Sequence, residues 1–599
     1  MAIKQYQNFN WGLNLNQSTN IADNELTIAK NVFYNNSKQI QTRRWYTTFW
    51  NSVGSDPFTS YFFFQRDDTL ERIALAHAGD TMYKYDGSTW NSVKSGLIGN
   101  ETIPWTTANR TRVDYAVYKN ITYMMDWVNP YAYYDWTTYA KIGLWTATTC
   151  TFANGTEYIT KSSHWLVAND EVFFTTDNAL PTGITVNQVY YVILVDTNNF
   201  QITTAVSGTA LNFTTNWAGT NQFTKLSEPR CRYIAYLNNT MFGASDDANP
   251  TTLYWTDTLS ANSNNINQNV LVVWGDEQGR INAISEYSNT IIAFKDSKVY
   301  GVDISVPSSQ PIDTQTWGFS NRSVNNVGNS LVYFNERWVD TLQRRSGVDG
   351  SQAIESEELS TNVRALMQKI QEKNYNASAS IYIKKHNNYY FSFDTTGDDI
   401  PDTHLVYNSV LSSRTQYVLP SLYDYWTYIN ANKEHQYLFT SGSGGQAYQF
   451  EYGFDDDRQP IESEIQTKDR DFDDPAQLKM FEWVDVTGYK QEWWEIDIKV
   501  IIEWEVRQLG KVTDSRVNLD VVSGVLWVDW LGTQSLWVWA WDDAEWLPLY
   551  KFTVKLPVMI RGTDIAVNVS ATWVQRIVEK MRVSRNNQVE TIFYYGDII

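Results

Sequence analysis

Seven times along the chain, an apolar or alternating run meets a short turn of Gly, Asn, Asp or Ser and is answered by a second run. The turns fall at Gly79-Asp80, Lys119-Asn120, Asn238-Asn239, Lys295-Asp296-Ser297-Lys298, Asn335-Glu336, Asn387-Asn388 and Ser441 to Gly445. Such a run-turn-run is a β-hairpin: period-2 alternation gives each strand one buried face, and the turn residues tolerate the backbone of a tight reversal. Successive turns lie roughly 40 to 57 residues apart, except for one interval of about 119. A strand-bearing repeat of that length predicts an all-β chain built as a β-propeller of roughly six to eight blades, each a four-stranded sheet.

The long interval needs an insertion of about 75 residues, and residues 151–226 supply one. They read as a small β-domain of short alternating strands parted by Asn, Gly and Pro turns. The expected organisation is 1–150 for the first part of the propeller with an N-terminal segment, 151–226 for the insertion, 227–460 for the rest of the propeller and 461–599 for a C-terminal β-sandwich or jelly roll. The last rests on strongly alternating runs such as IDIKVIIEWEVRQ, RVNLDVVSGVLWVDW, SLWVWAWDDAEW and YKFTVKLPVMIRG. One helix is predicted near 360–372, where Val363, Leu366, Met367 and Ile370 share a face and Ser360 or Thr361 is the N-cap. The two cysteines, Cys150 and Cys231, flank the insertion. They are expected near each other, as reduced thiols, since two cysteines make no disulfide framework. No signal-like h-region and no apolar run of membrane-spanning length is visible, so synthesis in the cytoplasm and no membrane insertion are expected.

A net charge of −20 argues against sequence-specific nucleic-acid binding, which needs a basic face for phosphates. It is compatible with an acidic wall past which DNA slides without being held. With 26 Trp, 38 Tyr and 26 Phe, the chain is rich in aromatic residues. They suit packed sheets first, and an exposed sugar-stacking surface second.

Candidates for chemistry are few. His77, His164, His386, His404 and His435 show no metal or catalytic spacing. Lys295 and Asp296 lie in a hairpin bend, and Gly442-Ser443-Gly444 is too short for a nucleophile elbow. YKYDGSTW, Tyr83 to Trp90, approaches the Asp-box of sialidase propellers but is spelled once, and reads as a turn capped by a packing Trp. Asp394, Asp398 and Asp402 lie in DTTGDDIPD, a solvated loop between strands or else a calcium loop. The sequence assigns no catalytic, cofactor-binding or metal-ligating residue.

Several stretches taken in order resemble the β-propeller tail proteins of bacteriophages, the tail nozzle, tail tubular and packaged-DNA stabilisation proteins of short-tailed phages. The opening carries a G-L-N turn (Gly12-Leu13-Asn14), an I-x-D-x-E segment (Ile21 to Glu25), an A-x-N-V run (Ala29 to Val32) and a closing basic residue, Arg43. Then come RINAISEYSNTIIAFKDSKVYGVD, ELSTNVRALMQKI leading to NNYYFSF, and GGQAYQFEYGFDDD. The resemblance implies a non-enzymatic virion protein. It would form a homo-oligomeric ring, often a hexamer, below the portal and its adaptor, extend the DNA channel and retain the genome until ejection. Alternatives are a tail-tip or baseplate protein binding host glycan and, further off, a propeller glycosidase.

Overall fold

The computed structural model describes residues 4–593 apart from several runs, the longest being 51–57, 98–111, 258–265, 470–478 and 521–548. The Trp-rich stretches between 521 and 548, Ser297 and residues 442–445 lie outside the described residues. The chain is nearly all-β, with 57% strand and, among the described residues, one short helix. Six separate four-stranded antiparallel sheets give a six-blade propeller arrangement. The chain divides into two compact units, Phe58–Asn321 and Met1–Pro57 with Arg322–Ile599.

Phe58–Asn321 holds four of the sheets. Their first strands are Phe58–Gln65, Asp114–Tyr118, Tyr233–Leu237 and Ile281–Tyr287. Asp114 ties three of them together: its Oδ2 accepts from Ile234 N at 2.9 Å and from Asn321 Nδ2 at 3.0 Å, while Asn321 Oδ1 accepts from Ile284 N at 3.1 Å. Between neighbouring sheets lie the cores their alternation predicts, such as Phe242, Leu253, Ile284, Ile291 and Tyr300. Between the second and third sheets the chain makes a closed six-stranded barrel, from Thr148–Phe152 to Asn221–Lys225, around Phe152, Phe174, Tyr190, Phe200 and Phe223.

All seven hairpins of the sequence reading form, but they are not equivalent. Lys119-Asn120, Asn238-Asn239 and Asn387-Asn388 join the first and second strands of their sheets; the other four join the second and third. This mixed phase makes the spacing uneven. In the fourth sheet, the counterpart of Asn238-Asn239 is Ser288-Asn289, not the Lys295–Lys298 bend. Both central residues have positive φ at Lys119 (48°) and Asn120 (63°), at Asn238 (49°) and Asn239 (60°), and at Ser288 (52°) and Asn289 (63°). That is the type I′ geometry whose twist matches paired strands. The neighbouring turns are linked, Asn238 Nδ2 donating to Asn289 Oδ1 at 2.8 Å.

The other unit contains the sheets starting at Asn325–Val327 and Leu422–Ile429; the second is completed by the N-terminal strand Tyr46–Trp50. The hairpin at Asn387-Asn388 lies in a meander from Ala379–Ile383 to Ser413–Tyr417, which continues into a ten-stranded sheet. That sheet takes Gly12–Leu13 and Glu25–Lys30 together with Glu462–Thr467, Ile496–Ile502 and Ala566–Thr572. An eight-stranded sheet likewise mixes Lys4–Gln7 and Val32–Tyr34 with Lys479–Gln491 and Leu549–Gly562. The C-terminal strands therefore share both of their sheets with the N-terminal segment.

The predicted helix shortens to a 3-10 turn, Thr361–Val363, and one α-turn, Arg364–Met367. Its face is as read: Val363, Leu366, Met367 and Ile370 are all buried. The cap fails because Ser360 Oγ is engaged elsewhere, accepting from Val339 N at 3.1 Å and donating to Glu358 Oε1 at 3.2 Å.

Gly12 has φ +71° and a Cβ there would meet Arg414 O at 2.3 Å. Gly12→Ala is therefore expected to cost about 3 kcal/mol or more in urea unfolding. Gly87→Ala, at φ +102° with nothing within 4 Å, should cost about 1 kcal/mol. Equal losses would mean that backbone strain, not the close approach, sets the cost at Gly12.

Candidate functional site

The residues singled out for chemistry mostly resolve into structural roles. Lys295 is fully buried; its Nζ donates to Val273 O at 3.2 Å and lies 6.0 Å from the Tyr300 ring centroid. Asp296 accepts from Asn282 Nδ2 and from Arg280 N at 3.3 Å. The two side chains thus anchor their bend to different neighbours.

The histidines are dispersed, and no hydrogen bond among the described residues joins any two of them. His77 is buried in the first sheet and His435 is exposed. His386 Nε2 lies 3.6 Å from Glu451 Oε2. His164 is buried in the barrel against Phe200, 5.3 Å between ring centroids. His404 enters the closest approach to a catalytic array. Ser392 Oγ lies 2.7 Å from its Nδ1, Tyr425 OH lies 2.6 Å from Ser392 Oγ, and His404 Nε2 is 3.3 Å from Leu419 O. The chain closes if Nε2–H donates to the carbonyl, Nδ1 accepts from serine, and serine accepts from tyrosine. That keeps the imidazole neutral, and burial accordingly pushes its pKa down to about 3. A nucleophile–base pair needs substrate access. Here Ser392 and His404 both have 0% exposure, so the array is a satisfied core network.

The acidic loop spends its carboxylates on itself. Asp394 Oδ1 accepts from Thr396 N and Gly397 N, each at 2.8 Å; Asp398 Oδ1 accepts from Ile400 N at 3.0 Å; and Asp402 accepts from Thr395 N at 3.2 Å. Among the described residues no group of three His, Cys, Asp or Glu side chains could hold a metal ion. In the Asp-box-like turn, Asp86 accepts from Thr89 N at 2.7 Å and Asn91 Nδ2 at 2.8 Å, and Trp90 packs on Phe58 and Tyr85. The aspartate's role recurs although the motif does not. Asp135 accepts from Thr138 N at 2.7 Å and Asp303 from Ser305 N at 2.9 Å, each at the end of a third strand. Hydrogen bonds from Ser305 hold the Asp303 carboxyl below its usual range.

Cys150 and Cys231 are buried and form no disulfide; they lie in separate cores, Cys150 in the barrel and Cys231 with Met241 and Ile266 between the second and third sheets. The expectation that they lie together is replaced by this division. Burial pushes the Cys150 thiol up to about 12, which suits packing rather than reactivity.

Two features went unread in the sequence. The first is a repeated D-x-x-N-P, Asp126 to Pro130 and Asp246 to Pro250, visible by internal comparison alone. In the first copy Asp126 Oδ1 accepts from Asn129 N at 2.7 Å. The second is a buried clasp. Arg43, 1% exposed, donates from Nε to Asn31 Oδ1 (2.9 Å), from Nη1 to Arg44 O (3.0 Å) and Asp456 Oδ1 (2.9 Å), and from Nη2 to Val418 O (2.8 Å) and Asp456 Oδ2. All five guanidinium N–H groups are engaged. Asn31, at φ 53°, also donates to Glu462 O at 2.7 Å and accepts from Val418 N at 2.7 Å. The clasp thus binds the N-terminal segment, the end of the meander and the first C-terminal strand.

Exposure separates the aromatic residues. Among the described residues, Tyr158 (42%) and Trp165 (37%) are the aromatic side chains more than about a third exposed, and both belong to the barrel.

No protein-family model and no curated protein matches the chain. Among solved structures, the extracellular domain of BT4673 from B. thetaiotaomicron aligns at 9% identity and TM-score 0.35, over 74% of this chain and 43% of that one. This chain therefore spans less than half the length of that first match. The Neurospora crassa Pan2 WD40 domain aligns at 7% identity and TM-score 0.30, over 69% and 96%. The phage phi92 endosialidase aligns at 11% identity and TM-score 0.24, over 88% and 84%. At such scores none of these likenesses carries a functional inference.

Proposed function

We propose that this chain is a non-enzymatic structural protein of a bacteriophage tail, a subunit of a homo-oligomeric ring that extends the DNA channel below the portal and adaptor. The observation that carries the reading is the role of the residues behind the resemblance. Gly12 fits against Arg414 O, Asn31 and Arg43 build the clasp, and Glu25 accepts from Ala22 N at 2.7 Å and Asn362 Nδ2 at 2.9 Å. They are spent on a rigid frame, which is what a channel wall requires. A net charge of −20 favours DNA passing without being held, and an assembly site in the virion follows from the same reading.

The test is assembly. Purified protein mixed with portal–adaptor complex and imaged by electron microscopy is expected to form a ring, with six copies the first stoichiometry to look for. A persistent monomer that binds neither component would overturn the proposal. Polysaccharide cleavage abolished by a single Asp→Asn change would overturn its non-enzymatic part. A second reading, host-glycan binding, is favoured by one observation: among the described residues, the two exposed aromatic side chains, Tyr158 and Trp165, lie on the barrel.

A further inference from the structure

The segment 161–170 is strapped along the strand end at 192–198. Lys161 N donates to Asn198 O at 2.8 Å, His164 N to Thr197 O at 3.0 Å and Asn169 N to Val192 O at 2.8 Å. Its side chains alternate. His164 and Leu166 turn in, Leu166 joining the barrel core, while Trp165 and Val167 turn out. The segment therefore plugs one end of the barrel and carries an exposed indole on its outer side.

That indole is held in place. Its centroid lies 6.2 Å from that of Phe223, and Lys225 Nζ sits 5.6 Å from it. Lys225 in turn pairs with Asp170 Oδ2 at 2.7 Å, and Asp170 Oδ2 also accepts from Val167 N at 2.7 Å. Both contacts use the same oxygen. Among the described residues no hydrogen bond reaches Asp170 Oδ1, although the side chain is only 11% exposed. A fixed, partly exposed indole, an ammonium placed over its ring and a carboxylate oxygen with spare acceptor capacity thus meet in one place. A sugar ring offers the complementary set: C–H groups on one face for the indole and hydroxyls around the rim for the carboxylate and ammonium. A purely apolar protein contact would leave Asp170 Oδ1 desolvated without a donor, which is costly.

We propose that the plugged end of the barrel is a saccharide-binding subsite, with Trp165 as stacking platform and Asp170 as hydroxyl acceptor. The proposal rests on the host-glycan reading and is independent of the ring. The test is binding of the full-length protein to an array of bacterial surface polysaccharides and their oligosaccharides, followed by titration of the best binder. Trp165→Ala is expected to weaken binding about tenfold or more, Asp170→Asn several-fold, and Trp165→Phe less than Trp165→Ala. Tyr158→Ala, elsewhere on the barrel, should leave binding unchanged, and circular dichroism should confirm that each variant is folded. Wild-type protein that binds no saccharide overturns both the subsite and the host-glycan reading. Saccharide binding that survives Trp165→Ala overturns the subsite alone. Protection of Trp165 from oxidation by ring assembly, and not by saccharide, assigns the indole to a contact between copies and also overturns it.

Discussion

Replacing Arg43 by methionine is expected to cost about 3–5 kcal/mol of stability, the usual loss when one partner of a buried ion pair is removed. The substitution keeps much of the apolar stem but deletes five donors at once. Asp456 loses its guanidinium, and Val418 O and Asn31 Oδ1 each lose a donor. Arg43→Lys should recover little, because three donors on a point charge cannot reproduce a planar fork engaged on all sides. Asp456→Asn should fall between, since an amide still accepts one hydrogen bond. The measurement is the urea midpoint of unfolding, with hydrogen exchange over Glu25–Lys30 and Glu462–Thr467 to localise the loss. An unchanged midpoint in Arg43→Met would show that the clasp does not secure the N-terminal segment.

The second large effect is on acid stability. Burial lowers the pKa of His404 to about 3 and that of His77 to about 4, against an ordinary value of 6.5. Above pH 6.5 both rings are neutral, folded or unfolded, and contribute no pH dependence. Below it the unfolded chain takes up protons that the folded chain refuses, so stability falls as pH falls. The slope is about 1.4 kcal/mol per pH unit for each histidine. It ends near pH 4 for His77 and near pH 3 for His404. The two residues sit in different compact units, so each unit should lose about 3 kcal/mol between pH 6.5 and 4. His404→Gln removes one titrating group. It should lower stability at neutral pH by breaking the Ser392 network, yet flatten the acid slope of its own unit. Parallel slopes in variant and wild type, from urea titrations at several pH values, would refute the assignment.

What was legible in the sequence is what local pattern dictates. Alternation and turns bearing Asn, Gly, Asp or Ser located all seven hairpins, and the turn-rich stretch after Cys150 located the barrel. The phase of each hairpin within its sheet was not legible, because Ser288-Asn289 and Asp296 lie in turns of similar composition. The helix face at Val363, Leu366, Met367 and Ile370 was readable from spacing, but its length was not, since Ser360 is engaged by Val339 from outside the segment. The clasp was invisible for a stronger reason: Arg43 and Asp456 are 413 residues apart, and Asn31 and Glu462 are 431 apart. The resemblance had marked Asn31 and Arg43 without giving their role. Aromatic content suggested both core and ligand surface. Only burial could separate Tyr390 and Phe439, in the core, from the exposed Trp165.

The sharing of sheets between the two ends of the chain also sets an order of events at the ribosome. Tyr46–Trp50 finds its partner in Ala447–Phe450, and Lys4–Gln7 pairs in parallel with Gln588–Phe593. At translation rates of about 5–20 residues per second, the first of these pairings must wait on the order of 20 to 80 s after the N-terminal strand is made. Phe58–Asn321 contains all the strands of its four sheets and its barrel, and so can close while synthesis continues. A nascent chain stalled soon after residue 321 should therefore yield a protease-resistant core beginning near residue 58, its first fifty residues still cleavable. The leading end of this polypeptide is the last part to be housed.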